Sequence, residues 1–182
     1  MNLFCETRKL TNQGEDHLTC FLAAALEVDD DFRNAYEKSV LLPIKKDNVV
    51  PRIKEIKIQV DYKEEHCRPD MILVLEDGRQ VFCEHKIDAG ETMRTLDDGE
   101  IRGQLDRYLN NLSNTALVAY FRPSLNPPDD AILNHPRYLK PSNAPHFLWR
   151  DLYNPVCAGK HIMSSWLPHA FEELGFTPPV EN

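Results

Sequence analysis

The segment from Asp70 to Lys86 limits the possible folds more than any other part of the chain. Residues 70–75 (Asp-Met-Ile-Leu-Val-Leu) are apolar on both faces, as in a strand covered on both sides of a sheet. Asp77-Gly78 marks a turn, and residues 79–86 return as a second strand. Loop length decides which side chains share a face. A two-residue Asp-Gly loop pairs Asp70 with His85 and puts Glu84 on the far face. A three-residue loop, Glu76-Asp77-Gly78 with Gly78 left-handed, pairs Leu75 with Arg79 and therefore Asp70 with Glu84. Side chains alternate with period two, so Lys86 then joins that face while Cys83 and His85 point to the other. We expect the three-residue loop, or a bulge with the same effect.

That register gathers two carboxylates and an ammonium on one patch. Two carboxylates hold a hard divalent cation such as Mg²⁺, and an all-oxygen donor set favours Mg²⁺ or Mn²⁺ over zinc. A neighbouring lysine steadies a nucleophilic water or a developing negative charge. The combination suits hydrolysis of a phosphodiester. No glycine-rich phosphate loop occurs, and no Ser or Cys has the setting of a covalent nucleophile.

Around this hairpin the hydrophobic period changes twice. Leu18, Phe21, Leu22, Ala25 and Leu26 recur at helical spacing, predicting a helix over 14–27 with Thr11 or Asn12 as N-cap. Asp29, Asp30 and Asp31 interrupt it and can cap a second helix running to about Val40. Pro43 and residues 45–48 make a loop, and Ile53, Ile56, Ile58 and Val60 mark a strand. Residues 87–99 read as an acidic loop. Residues 100–112 read as a helix with Ile101, Leu105, Tyr108, Leu109 and Leu112 as its stripe, and residues 116–121 as a buried strand. Prolines 123, 127, 128, 136, 141 and 145 make the next stretch mostly loop, with a short helix at 128–134. A short strand at Phe147-Leu148-Trp149 and a closing helix over 160–174 complete the pattern. The class is α/β: a central mixed sheet of four or five strands flanked by helices, in one domain spanning 1–182.

Composition narrows the setting. With 42% apolar and 27% charged residues the chain is an ordinary globular sequence. It has no run of eighteen apolar residues, and residues 1–10 lack the apolar core of a signal peptide, so no membrane association is expected. Five cysteines without a C-x-x-C pair suggest reduced thiols and a cytoplasmic location. The net charge of −8 runs against the basic footprint of nucleic-acid binding. A local strip would have to supply it, with Arg52, Lys54, Lys57, Arg102 and Arg107 as candidates. His66, Cys67, Cys83 and His85 can be read as a zinc site that would stabilise the scaffold, but their spacing fits no usual zinc pattern, and buried neutral cysteines are the expected account. His135, His146, His161 and His169 stand alone.

In its order of elements and its Pro69-Asp70…Glu84-His85-Lys86 signature the chain resembles the PD-(D/E)XK nuclease superfamily, the restriction-endonuclease-like fold. Glu84-His85-Lys86-Ile87-Asp88-Ala89-Gly90 looks like an extended form of the motif found in a bacterial branch. Gln104-Leu105-Asp106-Arg107-Tyr108 resembles the Gln-Leu-x-x-Tyr helix motif that follows it. Glu15 lies where such families carry a further acidic residue. The resemblance covers residues 11–121 and weakens beyond Trp149. It implies a Mg²⁺- or Mn²⁺-dependent nuclease, acting on DNA in preference to RNA, in bacterial nucleic-acid defence or repair. Asp70, Glu84 and the His85 carbonyl would bind the metal, and Lys86 would orient the attacking water. Glu15 would support the site or hold a second ion. Gln104, Tyr108 and Arg107 would meet the substrate. Such folds are often homodimers or are attached to a sensor domain. The stretch from Lys86 to Gln104 is longer and more acidic than in that branch (Asp97, Asp98, Glu100). A second reading is therefore a catalytically silent or gated module of the same fold that binds nucleic acid or a protein. Other accounts of single residues are structural: Glu15 can close a capping box at its helix start, and Tyr108 can be core.

Overall fold

The computed structural model describes residues 2–10, 14–63, 66–88, 93–95, 101–112 and 115–178. The chain opens with a short helix that the sequence pattern did not announce, α1 (Leu3–Arg8), followed by α2 (Gly14–Val28) and α3 (Asp30–Val40). Asp29 separates the last two as expected. Its backbone is extended and its carboxylate accepts the Phe32 amide at 3.1 Å, an N-cap that restarts the helix. The proposed caps Thr11 and Asn12 lie outside the described residues.

The strands β1 (Ile53–Ile58), β2 (Met71–Leu75) and β3 (Gln80–His85) form an antiparallel meander. A two-stranded ribbon, β4 (Arg94–Thr95) with β5 (Ile101–Arg102), stands apart from the main sheet. It replaces part of the expected 87–99 loop and takes Ile101 out of the expected helix. That helix, α4 (Gln104–Asn111), starts only after Gly103. It leads into β6 (Leu117–Arg122), which lies parallel to β3. The proline-rich stretch contains α5 (Asp130–Leu133), inside the expected 128–134, and an unforeseen strand, β7 (Tyr138–Leu139). The strand expected at 147–149 is β8 (Phe147–Leu148). Strands β7 and β8 pair with successive parts of β6, so six strands fill five positions of the mixed sheet.

Helix α6 (Tyr153–Cys157) follows, and the closing helix is shorter than expected. Helix α7 covers only Leu167–Glu173, because Pro168 fits the first turn of a helix and not its interior. Among the described residues no helix is long and apolar enough to cross a membrane. The five cysteines are free.

The double-sided apolar run of β2 is explained by two cores. Met71, Leu73 and Leu75 pack with Leu18, Leu22 and Leu26 of α2, Phe32 and Tyr36 of α3, and Trp149. Ile72 packs with Phe82, Tyr120 and the α4 stripe Leu105, Tyr108 and Leu109 on the opposite face. Burying a side chain of this size contributes about 1.5–3 kcal/mol. This sandwich fixes the sheet between α2 and α3 on one side and α4 on the other. Both layers can therefore send side chains to the end of the sheet where β2 begins and β3 finishes.

Candidate functional site

The hairpin closes by the three-residue loop. Gly78 has φ of 85°, its amide donates to the Leu75 carbonyl at 3.0 Å, and the Leu75 amide donates to Arg79 at 2.9 Å. An L-residue rarely adopts that φ, which is why glycine stands there. The register runs Val74↔Gln80 to Met71↔Cys83 and so sets Asp70 opposite Glu84.

At the open end of the hairpin Asp70, Glu84, Lys86 and Glu15 meet. The Asp70 carboxylate accepts the His85 amide at 2.7 Å. Glu84 is fully buried, and its Oε2 lies 2.8 Å from the Tyr108 hydroxyl, which also lies 2.8 Å from the Arg68 carbonyl. Lys86 Nζ lies 2.7 Å from Glu84 Oε1, an ion pair with both side chains buried. The same ammonium donates to Glu15 Oε2 at 3.2 Å, while Glu15 Oε1 accepts the Ile87 amide at 3.3 Å. The first turn of α2 thus holds both the side chain of Lys86 and the backbone just after it.

The electrostatics follow from this crowding. Burial and then the Glu84 charge push Asp70 up to about 8, against the pull of the His85 amide and Lys86. Burial also raises Glu84, opposed by Lys86 and Tyr108. Burial alone would lower Lys86, but Glu84, Glu15 and Asp70 outweigh it and hold the ammonium above its ordinary range. Three carboxylates therefore crowd one ammonium, and Asp70 holds its proton more tightly than a free carboxyl group. The oxygen donors of Asp70 and of the fully buried Glu84, set side by side by the register, fit a hard divalent cation. Glu15 fits less well, because both its oxygens are already engaged and Lys86 stands between it and Glu84.

The remaining predicted residues fall into place unequally. The imidazole of His85 is on the opposite face, buried between Phe121 and Trp149 with Nδ1 2.7 Å from Thr19, and burial pushes it down to about 3. Only the backbone of His85 faces the site. Tyr108 is both core and site, since its ring is buried and its hydroxyl meets Glu84. Gln104 is half-buried one turn earlier on the same face of α4. Arg107 is buried, with Nη1 donating to the Arg102 carbonyl at 2.8 Å, so its guanidinium is turned into the protein. The expected basic strip is largely neutralised within the chain. Arg52 pairs with Glu37 at 3.0 Å, Lys57 with Glu55 at 3.6 Å and Arg102 with Asp106 at 3.7 Å. The acidic residues Asp97, Asp98 and Glu100 lie outside the described residues, as do Ala89 and Gly90 of the extended motif.

Two supports escaped sequence reasoning. Thr19 holds the His85 ring, and the Trp149 indole donates to the Lys86 carbonyl at 2.8 Å. Neither has a spacing signal, since the partners are 66 and 63 residues apart. Compared with known protein families, with curated proteins and with solved structures, the chain matches none.

Proposed function

We propose that the protein is a Mg²⁺- or Mn²⁺-dependent nuclease hydrolysing phosphodiester bonds in DNA, on a restriction-endonuclease-like core. The observation that carries this proposal is the hairpin register. It places Asp70 beside Glu84 and leaves the Lys86 ammonium 2.7 Å from Glu84. Asp70 and Glu84 would hold the cation. A bound ion of this class lowers the pKa of a coordinated water and neutralises charge on the phosphate.

The rest of the chemistry belongs to the chain. Lys86 orients the attacking water or neutralises a phosphate oxygen. The His85 amide fixes Asp70, and Tyr108 fixes Glu84. Glu15 positions Lys86 instead of ligating a metal. Gln104, at the start of α4, meets the substrate at the edge of the site. Arg107 is not retained as a substrate contact, because its side chain is buried. The choice of DNA over RNA, a role in bacterial nucleic-acid defence, and a homodimer or attached sensor domain rest on the family resemblance alone.

A second reading, a gated or silent module of the same fold, is favoured by one observation. Lys86 is tied to Glu84 and Glu15 together, so a substrate phosphate must compete with two carboxylates for it. Cleavage of supercoiled plasmid, single-stranded DNA and RNA with Mg²⁺, Mn²⁺ or EDTA separates the two. The nuclease predicts metal-dependent cutting of DNA that Lys86→Ala abolishes. Cutting that survives Lys86→Ala overturns the assignment, and no cutting by protein that still binds metal favours the gated module.

A further inference from the structure

A second cluster lies where the N-terminal helix meets the closing helix. Cys5 of α1 and His169 and Glu173 of α7 each offer a ligand atom, and these atoms lie within 4.8 Å of one another. They border an open surface cavity that Asn2, Arg8 and Lys9 also line. Among the described residues this is the one group of three or more Cys, His, Asp or Glu side chains so gathered.

The distances fit a particular ion. His169 Nε2 and Glu173 Oε1 are 3.4 Å apart. Two ligand atoms each about 2.0–2.2 Å from zinc, at a tetrahedral angle, stand about 3.4 Å apart. His169 and Glu173 are four residues apart on α7 and so share one face. A thiolate, an imidazole and a carboxylate leave the fourth tetrahedral position to water.

The cluster also has the outer support that metal-binding histidines need. His169 Nδ1 lies 3.3 Å from Glu172 Oε2, and the Tyr153 hydroxyl donates to the other Glu172 oxygen at 2.8 Å. A hydrogen bond from Nδ1–H to Glu172 selects the tautomer whose Nε2 lone pair points at Glu173 and Cys5.

We propose that Cys5, His169 and Glu173 bind Zn²⁺ or a zinc-like divalent cation, and that the ion ties α1 to α7. Binding replaces the thiol proton of Cys5 by a sulfur–metal bond, and the proton leaves to solvent. Arg8 and Lys9 oppose a cation, but Lys9 is engaged with Glu6 at 2.8 Å and the site carries Glu172 and Glu173. The site is independent of the Asp70–Glu84 pair, which offers only oxygen.

Titration of the full chain with Co²⁺, followed by Zn²⁺ competition, tests this. Cobalt bound by Cys5 gives a thiolate charge-transfer band and the absorption of a tetrahedral ion, and one equivalent of Zn²⁺ removes both. Cys5→Ser abolishes the charge-transfer band, while Glu172→Gln weakens binding by about 10- to 100-fold with the band intact. All these positions are at the surface or half-buried, and circular dichroism confirms that the variants fold. The exposed thiols Cys20 and Cys157 are the internal control. No thiolate band, or a band unchanged in Cys5→Ser, overturns the proposal.

Discussion

Two carboxylates, the buried Asp29 and the half-buried Asp70, sit in the same protein under opposite conditions. Asp29 accepts the amides of Phe32 at 3.1 Å, Lys160 at 2.6 Å and His161 at 2.7 Å, together with the Ser164 hydroxyl. Burial pushes Asp29 up, yet the Ser164 hydroxyl and these three amides outweigh burial and bring it down to about 2. Asp70 has one amide donor and a carboxylate neighbour, and it is pushed up to about 8. Burial pushes both up, so donors and neighbouring charge decide the outcome: Asp29 has four donors, whereas Asp70 has one and faces the Glu84 carboxylate. Asp29 stitches the start of α3 to the segment before α7. Its surroundings are tight enough that a Cβ on Gly159 would stand 2.9 Å from its Oδ2. Asp70 is under-satisfied by its own fold, and that is the condition a cation relieves.

Four substitutions or conditions probe the contrast. The largest effect is on catalysis: Glu84→Gln should reduce DNA cleavage on the order of 10³-fold, about 4 kcal/mol, with the fold retained, as read from single-turnover rates and circular dichroism. Next, Asp29→Ala should cost about 3 kcal/mol or more in urea unfolding, because three amides and a hydroxyl lose a charged acceptor. Mg²⁺ should not restore it.

The pH dependence separates the two residues further. Asp70 has a folded-state value near 8 against an ordinary 3.8. Its contribution is therefore complete below about pH 4 and is lost as pH rises towards 8, where the folded protein must hold a buried charge. Metal-free protein should lose on the order of 2 kcal/mol across that window, and Asp70→Asn or added Mg²⁺ should flatten the slope. Asp29 acts with the opposite sign: its stabilisation is present above about pH 4 and falls away as pH drops through about 2. The smallest effect belongs to Tyr108→Phe, which removes one hydroxyl from Glu84 and should cost about 1 kcal/mol of stability, measured by thermal unfolding.

Local chemistry made much of this legible in the sequence. Gly78 specified the loop, the loop specified the register, and the register brought Asp70 to Glu84. Asp29 announced the restart of a helix as an N-cap. Other features depend on partners far away along the chain. Asp29 meets Lys160 and His161 131 and 132 residues later, and no periodicity encodes that. Arg107 looked like a substrate contact because its motif neighbours Gln104 and Tyr108 do, yet its backbone position turns the guanidinium to the Arg102 carbonyl. His169 looked solitary because Cys5 lies at the other end of the chain. The closing helix is shorter than its sequence pattern because the apolar residues before Pro168 keep a helical rhythm in a segment of turns and a short 3₁₀ helix at Ser164–Trp166.

Calorimetric titration of Mg²⁺ and Mn²⁺ into the parent protein and Asp70→Asn, at pH 8, decides whether the under-satisfied carboxylates are a cation site. Saturable binding at one or two ions per chain in the parent, lost in Asp70→Asn, is the expected result. Equal binding by both proteins, or none by the parent, would contradict a metal site built on Asp70 and Glu84.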